Sequence, residues 1–395
     1  MAEEALYVFE TASAEPFFYN PYASDRCFII CVGSPGSGKT FFKNTSTTHF
    51  LKYGGFSWSI DINPGTETLA QFFGDAGGIF RAGDGARGIN PFISYKGEGD
   101  RAFLAHMLSL AQELLAVNDE LAAKQFATGE QPKFDKAVLA TLRLKEEDRN
   151  LDHLIAHLPV ELRRKFSRWH NGGLYAGLFD AKADGIGSLD KRISVFNLQA
   201  FRDNPKLLKP MMLEIFHRVV REFEAEENRA RPKLLEIDEA HYALSLPTLR
   251  QFIVSKIRTW RQFGAGVTLW SQGANEYLSV PEWDVIRGAA STFVFLADGG
   301  FNEAKYKEAF PLTDGQCEAI RTLVPKREAF ILQPESGVAK KVILRVEPEQ
   351  HAINTSRPRE VALRTELINR YGFEKGLDRF VQALGHSSDD LQAAE

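Results

Sequence analysis

Cys27-Phe-Ile-Ile-Cys-Val32 runs straight into Gly33-Ser-Pro-Gly-Ser-Gly38-Lys39-Thr40, and Phe41-Phe-Lys-Asn-Thr-Ser-Thr-Thr-His-Phe-Leu51 follows. The first six residues are apolar, as a strand buried on both faces of a parallel sheet should be. The next eight satisfy G-x-x-x-x-G-K-[ST] in full, and the run after them reads as a helix. Strand, glycine-rich loop and helix in that order form a cradle for phosphates. Glycines let backbone N–H groups wrap the phosphate oxygens, the lysine reaches the outer phosphates, and the neighbouring hydroxyl ligates Mg²⁺. Gly33, Ser34, Pro35, Gly36, Ser37, Gly38, Lys39, Thr40 and Phe41 are therefore the expected nucleotide-binding run, with Thr40 on the metal. The reading is a P-loop nucleoside triphosphatase using ATP and Mg²⁺.

A second element belongs with such a loop. Leu234-Leu-Glu-Ile-Asp238-Glu239-Ala-His241 is an apolar strand ending in adjacent carboxylates. Asp238 at the tip is expected to hold Mg²⁺, and Glu239 to act as general base on the attacking water. Gly266-Val-Thr-Leu-Trp270 then leads into Ser271-Gln272, where Gln272 is placed to sense the γ-phosphate or orient water. Arg258 and Arg261 precede that strand. Either suits an arginine finger reaching a neighbouring subunit's nucleotide, and an exposed ion pair is the competing reading for each.

Outward from these motifs, short β-branched and aromatic runs alternate with helical patterns, which predicts an α/β fold with a mainly parallel sheet. Expected strands are Cys27–Val32, Ser57–Asp61, Ile193–Leu198, Leu234–Asp238, Gly266–Trp270 and Thr292–Ala297, with a hairpin of Glu328–Gln333 and Lys341–Val346. From Asp100 to about Trp169 the pattern is helical instead: Phe103, Leu104, Met107, Leu108, Ala111, Leu114 and Leu115 repeat at three and four. The expected organisation is thus a core begun in 1–99, a helical subdomain inserted at 100–170, the rest of the core in 171–384, and a polar tail at 385–395.

Composition narrows the function. The chain has 395 residues, 44% hydrophobic and 25% charged, a globular balance. A net charge of −4 argues against an obligate nucleic-acid coat, while leaving room for a basic stripe in a pore. Three cysteines make a disulfide framework unlike this chain and suit a reducing compartment. No run approaches a membrane span, and the acidic start MAEEALYVFE lacks a signal peptide's pattern, so a cytoplasmic protein is expected. Two other signals fail their context tests. Gly83-Asp-Gly85-Ala-Arg-Gly88 matches G-x-G-x-x-G but runs into Asn90-Pro91 instead of opening a helix, and His153 and His157 lack a third metal ligand.

Several further segments, taken together, resemble the motor domain of type IV secretion and conjugative-transfer ATPases of the TrbE/CagE type. They include PFFYNPY before the loop, IDINPG after the second strand, GINPF at Gly88–Phe92 and NGGLYAGLFD at Asn171–Asp180. KLLEIDEAHYAL, TWRQFGAGVTLWSQG and the segment Phe301–Leu332 follow in the family's order and spacing. The resemblance spans about Phe17 to Leu384. It implies a RecA-like core, Mg-ATP, a hexamer-forming tendency, secretion-channel partners and a post at the cytoplasmic face of the inner membrane. The same roles fall on Lys39, Thr40, Asp238, Glu239 and Gln272. Members usually carry a substantial N-terminal half, often have Trp where this chain has His241, and commonly have Arg-Lys where it has Arg261-Gln262. The rival reading is a DNA-translocating ATPase of the FtsK/HerA or coupling-protein type, which shares this core.

Overall fold

The computed structural model describes residues 5–23, 25–83, 88–187 and 189–392. Most of the glycine-rich stretch after Gly83 lies outside them. The chain forms two compact units, one of Met1–Gly77, Lys191–Val195 and Arg229–Glu395, the other of Gly78–Asp190 and Phe196–Asn228.

Eleven strands make one sheet: β1 (Tyr7–Thr11), β2 (Pro16–Tyr19), β3 (Phe28–Val32), β4 (Phe56–Asp61), β5 (Gly77–Arg81), β6 (Ile193–Asn197), β7 (Lys233–Ile237), β8 (Ala265–Ser271), β9 (Thr292–Leu296), β10 (Glu328–Gln333) and β11 (Val338–Ile343). Their order is β2-β1-β11-β10-β9-β3-β8-β7-β4-β6-β5, and the chain passes between the units at β5 and β6. The pairs β9–β3, β3–β8, β8–β7 and β7–β4 are parallel, so their C-terminal tips lie at one end. Every residue of these five strands is buried, and β3 and β9 are accordingly almost continuous apolar runs, whereas β4 alternates its apolar residues with Ser57, Ser59 and Asp61. β10, β11, β1 and β2 extend the sheet antiparallel.

Three strands have no counterpart in the sequence expectations. β1, β2 and β5 are short and only partly buried, and β2 begins at Pro16 and β5 at two glycines. Residues of that kind are the usual sign of a loop, and are tolerated at a sheet's margins because no full ladder of hydrogen bonds is asked of them. Helix α1 (Lys39–Phe50) covers the sheet, with Phe42 and Phe50 in a core shared with Phe9, Ile29, Trp270, Val294 and Ile331.

The second unit is helical from Arg101 to Trp169, with no strand between. Asp100 starts helix Arg101–Asn118 by accepting from the Phe103 N–H, and Asn150 caps Leu151–Ala156 in the same way. The buried stripe of the first helix is rotated slightly from the expected one. Leu104 and Leu108 are only half-buried, while His106 and Leu110 are buried, because His106 pairs with Glu214 of helix Pro205–Phe223. That helix belongs to the second unit, which is therefore wider than residues 100–170. In the first unit, helix Phe373–Gln392 runs on into the expected polar tail, since no glycine or proline after Gly385 interrupts it.

Candidate functional site

The loop between β3 and α1 is tied down at both ends. Ser34 Oγ donates to the Ala297 carbonyl at 3.1 Å, and the Ser37 carbonyl accepts from the Lys326 N–H at 2.8 Å. Gly36 and Gly38 have φ of 80° and 105°, conformations other residues adopt only with strain, and Gly38 passes directly into α1. A Cβ on Gly33 would lie 2.7 Å from Leu296 Cβ, so β9 leaves no space for a side chain there. Pro35 and Gly36 form the exposed lip. Phe41, expected beside the nucleotide, packs its ring against His351 at a centroid distance of 5.4 Å.

A buried ion pair holds α1 against β4. Lys43 Nζ lies 2.8 Å from Asp61 Oδ1, and Asp61 Oδ2 also accepts from the N–H groups of Gly65 and Thr66. Burial opposes the Asp61 charge, but Lys43 and the hydroxyls of Ser59 and Thr66 hold its carboxyl below the usual range. The segment Ile60-Asp-Ile-Asn-Pro-Gly65 is thereby folded so that Gly65 abuts the Thr40 methyl and Asn63 reaches Glu239.

Asp238 and Glu239 leave the tip of β7. Asp238 is buried with its N–H on the Ile60 carbonyl. Burial pushes its carboxyl up to about 6, helped by the nearby charges of Asp61 and Glu239 and opposed by Lys43 and Lys39. A cation beside it would reverse that penalty. Glu239 is a non-glycine residue at φ 47°, an unfavourable backbone that turns its side chain back over the strand tips. There Oε1 accepts from Gln272 Nε2 at 2.6 Å and Asn63 Nδ2 at 3.3 Å, and lies 3.8 Å from Lys39 Nζ. Among the described residues Lys39 Nζ, Ser37 Oγ and Glu239 Oε2 are buried atoms with no hydrogen-bond partner.

The tips of β3, β7 and β8 thus bring Lys39, Glu239 and Gln272 together. Gln272 is positioned by Glu276, whose Oε2 accepts from the Gln272 N–H at 2.9 Å and from Ser271 Oγ. Burial works against that carboxylate, yet the bonds from His241, Ser271 and Gln272 hold it down to about 2. Arg258 and Arg261 are not brought to this chain's own loop. They precede β8 and Gln272 follows it, so the seven-residue strand, roughly 20 Å long, separates them. Arg261 pairs with exposed Asp25 at 3.0 Å, beside an open cleft of about 510 Å³ lined by Tyr22, Arg258 and Gln262. Asn63, Glu276 and Lys326 went unread in the sequence. Asn63 lies in a stretch legible only through a family likeness, and the other two reach the site through tertiary contacts that no spacing encodes.

The site meets the chemistry of a Mg²⁺-bearing polyphosphate: an ammonium and a hydroxyl without hydrogen-bond partners among the described residues, a glycine-rich loop leading into a helix N-terminus, and a carboxylate with one open oxygen. No family model matches the chain. It is similar to the type IV secretion system protein virB4 of Bartonella quintana, 23% identical over 376 residues, covering 93% of this chain and 46% of that protein. It is also 23% identical over 341 residues to the conjugal transfer protein TrbE of Rhizobium radiobacter, covering 82% and 39%. The chain thus spans less than half the length of these relatives. Its fold matches the structure of VirB4 of Thermoanaerobacter pseudethanolicus with a TM-score of 0.69 at 12% identity, covering 89% of this chain and 98% of that one. It also matches the plasmid coupling protein TrwB in complex with ADP and Mg²⁺, with a TM-score of 0.57 at 14% identity and coverage of 88% and 90%.

Proposed function

We propose that this chain, a relative of the VirB4 and TrbE proteins of type IV secretion and conjugal transfer, is the motor portion of such a protein and hydrolyses Mg-ATP to drive pilus assembly or substrate transfer. The observation that carries the reading is the convergence of Lys39, Glu239 and Gln272 on the strand tips beside a tethered phosphate loop. Loop amides and Lys39 bind and orient the phosphates, so that the terminal one faces Glu239. Thr40 and Asp238 are the residues to hold Mg²⁺, which when bound neutralises charge on the phosphate oxygens. Gln272 and Asn63 occupy Glu239 Oε1 and thereby leave Oε2 to take the proton of the attacking water.

Arg258 or Arg261, at the far end of β8, acts on a neighbouring subunit's nucleotide. A head-to-tail ring places one subunit's far edge against the next one's strand tips, and a hexamer is the expected closure. No described helix is long and apolar enough to cross a membrane, and the proposed post is peripheral, at the cytoplasmic face of the inner membrane with the channel proteins. The test is turnover against protein concentration. Turnover per subunit should rise with association, and mixing Arg261→Ala with Glu239→Gln subunits should restore activity at interfaces pairing an intact arginine with an intact base. Concentration-independent turnover from a monomer, unchanged in both arginine variants, contradicts the ring. The likeness to TrwB gives the DNA-translocase reading its one specific support. Stimulation of turnover by single- or double-stranded DNA would favour it.

A further inference from the structure

His241 stands between two carboxylates. Its Nδ1 lies 3.3 Å from Glu276 Oε2 and 3.6 Å from Glu239 Oε2. One ligand atom from each of the three residues lies within 4.8 Å of the other two. Glu239 is 5% exposed, and among the described residues its Oε2 is a buried atom without a hydrogen-bond partner. A buried acceptor left open beside an imidazole is costly unless something takes it up.

The spacing identifies what fits. Bonds of about 2.0–2.2 Å from Zn²⁺ to nitrogen and oxygen, arranged tetrahedrally, put neighbouring ligand atoms about 3.3 Å apart. The His241–Glu276 edge has that length, and the His241–Glu239 edge exceeds it by a few tenths of an ångström. One imidazole with two carboxylates is a donor set for a borderline transition ion, whereas Mg²⁺ prefers six oxygens and retains its waters. The supports are firm. The β8 tip holds Glu276 through Ser271 and Gln272, and the His241 ring packs on Tyr242 at 4.2 Å.

We propose that Glu239, His241 and Glu276 form a second cation site, selective for a Zn²⁺-class ion, whose occupancy switches off hydrolysis. The consequence for turnover rests on the ATPase reading given above. A metal on Glu239 Oε2 takes the lone pair that would accept the water's proton. It leaves Lys39, Thr40 and the loop free for nucleotide. Zinc therefore lowers kcat and leaves KM for Mg-ATP unchanged.

The test begins without nucleotide, which would itself chelate zinc. Zinc chloride is titrated calorimetrically into the full chain in excess Mg²⁺, and Co²⁺ is added separately as a spectroscopic probe. Wild type should bind zinc at micromolar concentration or tighter and give the visible bands of four-coordinate cobalt. Both signals should weaken at least tenfold in His241→Gln and in Glu276→Gln. In turnover assays zinc should suppress wild type, and His241→Gln should resist that suppression. Equal zinc affinity in wild type and either folded variant overturns the site, as does the absence of four-coordinate cobalt bands in wild type, which needs no variant to fold. A chain that binds zinc as described but never hydrolyses ATP would remove the ATPase reading and leave the metal site standing.

Discussion

Arg218 and Lys39 are both cations shielded from water, and their surroundings treat them differently. In the second unit Arg218 donates to Glu214 Oε1, to both oxygens of Asp184 and to the Asn90 carbonyl, each at 2.7–2.9 Å. Glu214 in turn meets His106 at 2.6 Å, and Arg221 closes a neighbouring pair with Asp100. In the first unit Lys39 Nζ stands 3.8 Å from Glu239 and has no hydrogen-bond partner among the described residues. Closed networks of the first kind fix a core, because every desolvated charge has recovered its partners. Loose ends of the second kind cost stability, and a fold keeps them where a ligand is to complete them. Two fully buried glutamates repeat the contrast. Burial works against the Glu214 charge, but Arg218 and His106 hold the group down to about 2, whereas burial of Glu236 pushes it up to about 7 despite bonds from Trp270 and Thr47.

The sharpest break in this comparison is Lys39→Ala. Removing the open cation should lower nucleotide affinity about a hundredfold or more, roughly 3 kcal/mol, and abolish turnover, while leaving the unfolding midpoint near wild type. Fluorescent-nucleotide titration and a urea curve read both; near-normal turnover in the folded variant would sink the loop assignment. Arg218→Ala should do the opposite. It takes the guanidinium from two buried carboxylates and leaves them, among the described residues, only the His106 ring and the Asn90 N–H, so stability should fall by about 3–5 kcal/mol, read as an early urea midpoint. An unshifted midpoint would mean the network is not closed as described.

A pH series sharpens the contrast between the glutamates. Because the Glu236 carboxyl is raised in the folded chain, its contribution is full below pH about 4.5 and is lost as pH rises through about 7. Glu236→Gln should therefore remove a decline on the order of 3 kcal/mol between those limits. Glu214 has the opposite sign: its contribution is present above pH about 4.5 and is lost as pH falls towards 2. Identical pH slopes in wild type and Glu236→Gln would contradict the first statement. The smallest expected effect is at Asn63, whose bond to Glu239 is long at 3.3 Å. Asn63→Ala should lower kcat only several-fold, roughly 1 kcal/mol, and leave KM unchanged. An unaltered kcat would leave Gln272 as the sole support of that carboxylate.

What could be read in the sequence follows the same division. Buried parallel strands advertise themselves because both faces must be apolar, so β3, β7, β8 and β9 were legible to within a residue or two. The phosphate loop was legible because its chemistry is local: strand, glycines, lysine and threonine are consecutive. The marginal strands β1, β2 and β5 were not, since proline, glycine and half-exposed side chains read as loop. Glu214 and Arg218 stand four apart on one helix, a spacing visible in the chain, but nothing local announces that both are buried or that Asp184 completes them. The position of Glu276 against Glu239 and His241 exists only once β7 and β8 lie side by side.

The central claim is that Glu239, with one oxygen occupied and one open, is the base of an ATPase. Glu239→Gln keeps the size and the carbonyl that accepts from Gln272, and removes the basic oxygen. Nucleotide affinity and single-turnover hydrolysis of Mg-ATP, measured together on the same folded variant, test it most directly. The account predicts affinity within a few-fold of wild type and hydrolysis slowed by about 10²–10⁴-fold. Hydrolysis at the wild-type rate would contradict it.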